Sequence, residues 1–262
     1  GDHRDLHLSI RRQRQMCIRD RYNKTIFAPN VSNISGALYI VATPIGNLQD
    51  ITYRAVEILK NVSFIVAEDT RKSKILLSHL KIKNSLISYF EHNELKRIPQ
   101  ILKKINEGKD CALITDAGTP GISDPAYKLI RCAIDENIVI ESIPGPSAVL
   151  TSLTASGLPT DRFLFEGFLP PRKNRKSRLE RLKNELATLI FFENPNRLHR
   201  TLNDIHTYLG DRPAVIAREM TKIHEEYIRG TVSQLISYTE KKKLKGECVI
   251  LIGKDKKSVY FN

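Results

Sequence analysis

The chain has no tryptophan, two methionines and four cysteines among 262 residues. Its cysteines, at positions 17, 111, 132 and 248, form no C-x-x-C pair and share no zinc-like spacing with the histidines. Reduced thiols serving as small core residues are therefore expected, without a disulfide framework. His224-Glu225-Glu226 does not make H-E-x-x-H, so no metal is expected. No apolar run approaches the roughly 18 residues that span a bilayer, so a soluble protein with no membrane partner is expected. Also missing are G-x-G-x-x-G after the first apolar run and G-x-x-x-x-G-K-[ST] anywhere, which weakens the case for dinucleotides and nucleoside triphosphates. Internal repeats and low-complexity tracts are absent too.

What is present in excess is positive charge, formally +13. Basic side chains that neutralise phosphates release condensed counterions, so the excess points towards a polyanion. Seven Lys or Arg against three Asp in residues 1–35 account for four of these charges and leave nine. Ser9-Ile10-Arg11-Arg12-Gln13-Arg14-Gln15-Met16-Cys17-Ile18-Arg19-Asp20-Arg21 resembles translated sequencing-adapter DNA. Residues 1–35 are accordingly expected to be disordered or foreign to the native chain, the alternative being an Arg-rich arm that binds RNA or mimics a transit peptide. The densest remaining cluster is Arg172, Lys173, Arg175, Lys176, Arg178, Arg181 and Lys183. It reads either as a solvated helix face or as a row of phosphate contacts. The lysines at 241–243, 245, 254, 256 and 257 read as a solvated tail.

Short apolar runs alternate with helical patterns, which reads as α/β throughout. Strands are expected near residues 38–42, 62–67, 85–89, 111–115 and 138–143, then near 162–168, 187–192, 213–219, 226–230 and 247–252. Helices are expected at Ala55, Ile58 and Leu59, through Ile75, Leu76 and Leu77, and near 174–186 and 196–209. The turn-rich Gly157-Leu158-Pro159-Thr160 suggests a boundary between a domain at 36–157 and one at 158–254, with a tail at 255–262.

Three apolar runs end in loops of small residues: Thr43-Pro44-Ile45-Gly46-Asn47-Leu48-Gln49-Asp50, Thr115-Asp116-Ala117-Gly118-Thr119-Pro120-Gly121-Ile122-Ser123-Asp124-Pro125 and Pro144-Gly145-Pro146-Ser147-Ala148. Glycine lets backbone approach a ligand closely and proline stiffens the approach, and Pro146 suits the first turn of a helix. Parallel strands would bring the three loops to one edge of a sheet, where open α/β folds hold small organic ligands. A long surface turn is the plainer alternative for each loop taken alone.

These loops, together with Ala67-Glu68-Asp69-Thr70-Arg71, Glu166-Gly167-Phe168-Leu169-Pro170 and Glu193-Asn194-Pro195-Asn196-Arg197, resemble in order the branch of the tetrapyrrole methylase superfamily that methylates ribosomal RNA, over about residues 36–254. The resemblance implies two α/β domains with the cofactor cleft between them, S-adenosylmethionine as cofactor, and a cytoplasmic homodimer. It also implies transfer of a methyl group to the ribose 2′-hydroxyl of a decoding-centre cytidine, in 16S rRNA within the small ribosomal subunit. Ala126, where the family usually has Gly, and Gly121, where a bulkier apolar residue is common, put fine loop geometry in doubt but not the cofactor.

Cofactor contact is then expected at Pro44, Gly46, Thr115, Asp116, Ala117, Gly118, Gly121, Ile122, Ser147, Ala148 and Met220. RNA contact is expected at Arg71, Arg172, Lys173, Arg175, Lys176, Arg178, Asn194 and Arg197. Methyl transfer to a hydroxyl needs alignment and is helped by a base. Candidates for catalytic work are Glu68, Asp69, Arg71, Asp116, Glu166, Glu193, Glu219 and Lys222, and the sequence does not choose among them. Alternatives stand beside them: Glu68-Asp69-Thr70 and Glu193-Asn194-Pro195 as helix caps, and Arg218-Glu219 as an interdomain ion pair.

Overall fold

A computed structural model describes residues 35–254, which fall within one compact unit. Expectations for the basic arm and for residues 255–262 lie outside the described residues, but Lys241, Lys242, Lys243 and Lys245, read as part of a solvated tail, stand exposed from the end of the helix Val232–Lys241 to the strand Cys248–Ile252, with Lys242 paired to Glu226 at 3.4 Å. Strand β1 (Ala37–Val41) pairs with β4 (Cys111–Ile114) and β5 (Val139–Ile143). Strand β2 (Phe64–Ala67) pairs with β4 and with β3 (Leu86–Ser88). All these pairs are parallel, in the order β3-β2-β4-β1-β5.

Parallel neighbours cannot be joined by a tight hairpin, so each connection carries a crossover. Helices α1 (Tyr53–Asn61), α2 (Thr70–His79), α3 (Glu94–Asn106) and α4 (Tyr127–Asp135) supply them. Successive strand side chains face opposite ways. Leu38 and Ile40 thus pack with Ile101 and Ile105 of α3 and Leu129 of α4. Tyr39 and Val41 pack with Ala55, Ile58 and Leu59 of α1 on the other face. Covered on both faces, β2 and β4 are buried at every residue, which is why they read as unbroken apolar runs.

The second sheet holds β6 (Phe163–Phe168), β7 (Thr188–Glu193), β8 (Pro213–Arg218), β9 (Glu226–Thr231) and β10 (Cys248–Ile252), in the order β6-β7-β10-β8-β9. Here β6 and β7 are parallel and the other pairs antiparallel. The alternation of strand and helix fails between β8 and β9, where residues 219–225 form only a turn and a short connection allows only antiparallel pairing. Helices α5 (Ala148–Ser156), α6 (Arg175–Leu182), α7 (Leu198–Leu209) and α8 (Val232–Lys241) complete the chain. Leu179, Leu202, Ile205 and Leu235 of the last three bury one face of this sheet through Phe191, Ile216 and Ile250. The opposite face, with Ile190, Val215, Val249 and Leu251, takes Val149 and Leu153 of α5 together with Ile45 and Met220. Loops of the first sheet therefore share a core with the second.

Two local expectations differ. The helix expected to reach residue 186 stops at Leu182, because the Arg212 guanidinium donates to the carbonyls of Lys183 and Glu185 and draws the chain aside. Pro146 lies outside α5, whose N-cap is Ser147, and its carbonyl accepts a hydrogen bond from the Thr119 hydroxyl at 3.1 Å.

Candidate active site

The three small-residue loops meet beyond the carboxyl ends of β1, β4 and β5, and hydrogen bonds lock them together. Thr43 and Gly118 exchange both backbone bonds, at 2.9 and 3.0 Å, and the Thr43 hydroxyl donates to the Thr115 carbonyl at 3.1 Å. Gly118 has φ +84°, a left-handed conformation that glycine adopts without strain. At Gly145 a Cβ would stand 2.9 Å from that of Ala42, so only glycine lets the β5 loop close on β1.

Between these loops and the second sheet lies a cavity of about 670 Å³, within the usual range for small-molecule sites. Of the residues expected to hold a cofactor, Ala117, Gly118, Ile122, Ser147, Ala148 and Met220 line it. Pro44, Gly46, Thr115, Asp116 and Gly121 do not. A Cβ on Gly46 would meet the Thr221 hydroxyl at 2.6 Å and the Met220 carbonyl at 2.9 Å. The turn at 219–222 is itself unusual, with left-handed backbone at Glu219 and Thr221. The Thr221 hydroxyl accepts from Asn47 N–H at 3.0 Å, so this turn is pinned across to the β1 loop.

The catalytic candidates are mostly engaged with one another. Asp69 caps α2, accepting from Arg71 N–H at 2.9 Å, and ion-pairs with the Arg71 guanidinium at 2.8 Å, which holds its carboxyl well below the usual range. Arg71 is otherwise exposed. Asp116 pairs with Lys72 at 2.6 Å. Glu68 is half-buried and held above the ordinary carboxylate range, by burial first and then by the charge of Asp116. Glu166 is covered by Arg178. Glu219 is lowered by the Glu247 N–H and by Lys222, whose ammonium it accepts at 2.9 Å. Burial opposes the charge on Lys222, but bonds to Glu219 and Glu247 outweigh it and keep the amine protonated.

Glu193, expected at a strand-to-helix cap, has a fully buried carboxylate that accepts from Asn194 N–H at 2.7 Å, Arg197 at 2.7 Å and the Thr201 hydroxyl at 2.6 Å. Asn194 is exposed on the cavity wall and its side-chain carbonyl accepts from Asn196 N–H. Arg218 does not bridge domains: it pairs with Glu226 on the adjacent strand at 3.0 Å.

The basic cluster divides. Arg175, expected to face RNA, is only 6% exposed, and its guanidinium is spent on Asp204 at 2.6 Å, Thr201 at 2.7 Å and the Pro170 carbonyl at 3.1 Å. It ties α6 to α7. Arg172, Lys173 and Lys176 are exposed beside it.

Asp124, next to last in the longest loop motif, was not among the expected site residues. It lines the cavity and, among the described residues, makes no ion pair. Burial, then the charge of Glu68, pushes its carboxyl up to about 6, against a lowering contact with the Thr115 hydroxyl. That hydroxyl is buried and makes no hydrogen bond of sound geometry, so its contact with Asp124 is loose. A carboxylate in a partly apolar wall with no counter-ion suits a cationic ligand or a proton in transfer. Phe168, Phe192 and Val249 were also missed, being indistinguishable from core residues in the sequence.

Among the described residues no helix is long and apolar enough to cross a membrane, and no group of three or more His, Cys, Asp or Glu could hold a metal ion.

Residues 37–236 match the model of the tetrapyrrole (corrin/porphyrin) methylases. The chain is 51% identical over 221 residues to ribosomal RNA small subunit methyltransferase I of Thermotoga maritima, covering 84% of this chain and 100% of that protein. It is 48% identical over 224 residues to the protein of the same name from Halalkalibacterium halodurans, covering 85% and 78%. Among solved structures it is similar in fold to a cobalt precorrin-4 methyltransferase, with TM-score 0.64, 20% identity and coverage of 87% and 98%. Diphthine synthase gives 0.65 at 13% identity, with coverage of 83% and 90%.

Proposed function

This chain belongs to the tetrapyrrole (corrin/porphyrin) methylase family, and within it we propose that it methylates ribosomal RNA of the small subunit, at the ribose 2′-hydroxyl of a decoding-centre cytidine in 16S rRNA. The methyl donor is S-adenosylmethionine. The wall suits it: left-handed Gly118 and the small Ser147 and Ala148 leave room for close backbone approach. When bound, the donor supplies a methyl group already activated by positive sulfur. The protein's part is to align a hydroxyl and accept its proton.

The observation that carries this reading is Asp124 on the cavity wall, with no ion pair among the described residues. Its carboxylate takes the hydroxyl proton as the oxygen attacks. The candidates named from the sequence are poorer acceptors, since Asp69, Asp116, Glu166, Glu193 and Glu219 each hold a Lys or Arg and Lys222 is already protonated. Glu68 and Asp116 act through Asp124, keeping it receptive to a proton. Arg71, Asn194 and Arg197 contact the RNA, and Arg172, Lys173 and Lys176 neutralise its phosphates. Arg175 holds α6 in place and touches no RNA. Residues 36–157 and 158–254 serve as two domains, and the enzyme works in the cytoplasm as a homodimer.

The test is transfer of label from S-adenosylmethionine to small ribosomal subunits that lack ribose methylation. Label in 16S rRNA is the expected result. Calorimetric binding of S-adenosylmethionine with no transfer to subunits would assign another acceptor, and no binding at all would leave a non-catalytic RNA-binding factor.

A further inference from the structure

We infer that Phe168 and Asn194 form a nucleobase subsite on the cavity wall, in which a pyrimidine swung out of an RNA strand stacks on the Phe168 ring and is read along its edge by the Asn194 amide. The inference rests on RNA being the acceptor and deepens that reading.

It begins with a β-bulge. Along β6, Phe165 stands opposite Ile190 of β7, Gly167 opposite Phe191 and Phe168 opposite Phe192. Glu166 is the extra residue. In an unbroken strand, residues three apart point to opposite faces, so Phe165 and Phe168 would be divided between the two sides of the sheet. One inserted residue restores the parity and brings both to the face of Ile190 and Phe192. The rings confirm this placement: Phe165 and Phe168 both meet Phe192 edge-on, with centroids 4.8 and 5.6 Å away. Glu166 is held by Arg178 of α6, and Gly167 takes φ +63°. The strand is thus bent in a way that carries Phe168 to the cavity.

A ring delivered to a core would be buried, yet Phe168 is 54% exposed. Phe192 fixes it from one side and leaves apolar surface facing the cavity. A flat aromatic partner fits such a surface, and base stacking on an exposed aromatic is how proteins hold unpaired nucleotides. The ring comes from the second sheet, whereas the cofactor loops at Gly118 and Ser147-Ala148 come from the first. Four residues beyond Phe168 the chain reaches exposed Arg172 and Lys173, placed to neutralise phosphates on either side of a splayed nucleotide. Asn194 lines the same cavity. Its carbonyl oxygen accepts from Asn196 N–H at 2.9 Å, which fixes the amide plane, while its nitrogen makes no hydrogen bond to the described residues. An amide donor of this kind matches the adjacent acceptors O2 and N3 of cytosine. Uracil presents N–H at position 3 and matches less well.

The test uses the full chain with Phe168→Ala, Phe168→Tyr and Asn194→Ala. Three readouts are needed: KM for undermethylated small subunits, S-adenosylmethionine binding by calorimetry, and quenching of a fluorescent cytidine analogue at the target position of a decoding-centre RNA, without methyl donor. Phe168→Ala is expected to raise KM about 10- to 100-fold and abolish quenching, from the usual worth of one stacked base. Phe168→Tyr keeps both. Asn194→Ala narrows the preference for cytidine over uridine, and cofactor affinity is unchanged in all three. KM within twofold of the wild type in Phe168→Ala, or weakened cofactor binding in its place, would overturn the subsite. Wild-type protein that quenches the analogue yet never methylates the subunit would keep the subsite and refute the acceptor chemistry.

Discussion

Replacing Asp124 by Asn tests the proton acceptor, and activity and stability should move in opposite directions. The side chains are nearly isosteric, so the cavity keeps its shape. What is lost is a carboxylate that burial and the charge of Glu68 push up to about 6, from the usual 3.8 of an aspartate. Because the folded state holds this proton more tightly than the unfolded chain, Asp124 stabilises the fold below about pH 4 and loses that contribution as pH rises through about 6. At neutral pH the charged group is therefore a liability. A rise from 3.8 to about 6 corresponds to roughly 3 kcal/mol, and discounting for a part-exposed carboxyl leaves about 1 kcal/mol. For a chain of this size that is about 2–4 °C. The Asn variant should melt higher than the wild type by this amount at pH 7.5 and equally at pH 4, while its kcat falls about 10²- to 10⁴-fold with unchanged KM for subunits. In the wild type, kcat should fall as pH drops below about 6. An Asn variant with wild-type kcat, or one that melts lower at pH 7.5, would refute the role given to Asp124.

Other substitutions separate structure from recognition. Gly118→Ala places a side chain at φ +84° with its Cβ 3.4 Å from Ile45, so it should cost about 1 kcal/mol and weaken calorimetric cofactor binding. Arg175→Met removes a partner of the part-exposed Asp204 carboxylate and of the buried Thr201 hydroxyl, and should cost about 1–3 kcal/mol in denaturant melts without changing the salt dependence of RNA binding. Arg172→Ala and Lys173→Ala should do the reverse, each lowering the slope of log affinity against log salt by about 1 with an unchanged melting temperature. Gly46→Ala pushes on the 219–222 turn and should raise KM for the cofactor more than it lowers kcat.

Much of the fold was legible because its signals are local. Val66 and Leu113 sit in unbroken apolar runs, and Thr52 and Asp69 start helices whose apolar spacing is plain, so the five parallel strands and two of their crossover helices were legible, whereas α3 and α4 were not expected. The antiparallel arrangement of β8, β9 and β10 was less legible, since which strands pair depends on contacts distant in sequence. Within the site, glycines and prolines marked the loops, but the identity of the free carboxylate did not show. Glu193 and Asp124 look alike in the sequence. Only folding brings Arg197 and Thr201 to one of them and neither to the other. Arg175 and Arg172 are likewise neighbours in a charge run, but Arg175 opens α6 and turns inward to Asp204 and Thr201, whereas Arg172 lies on the exposed turn before it. The bulge at Glu166 has no signature beyond Gly167, so the placement of Phe168 could not be read before the strand pairing was known.

The most direct measurement is nucleoside analysis of 16S rRNA after the full chain has acted on undermethylated small subunits with labelled S-adenosylmethionine. The label should appear as 2′-O-methylcytidine from a single decoding-centre position. Label on a base, on another nucleoside, or nowhere despite demonstrated cofactor binding would contradict the account.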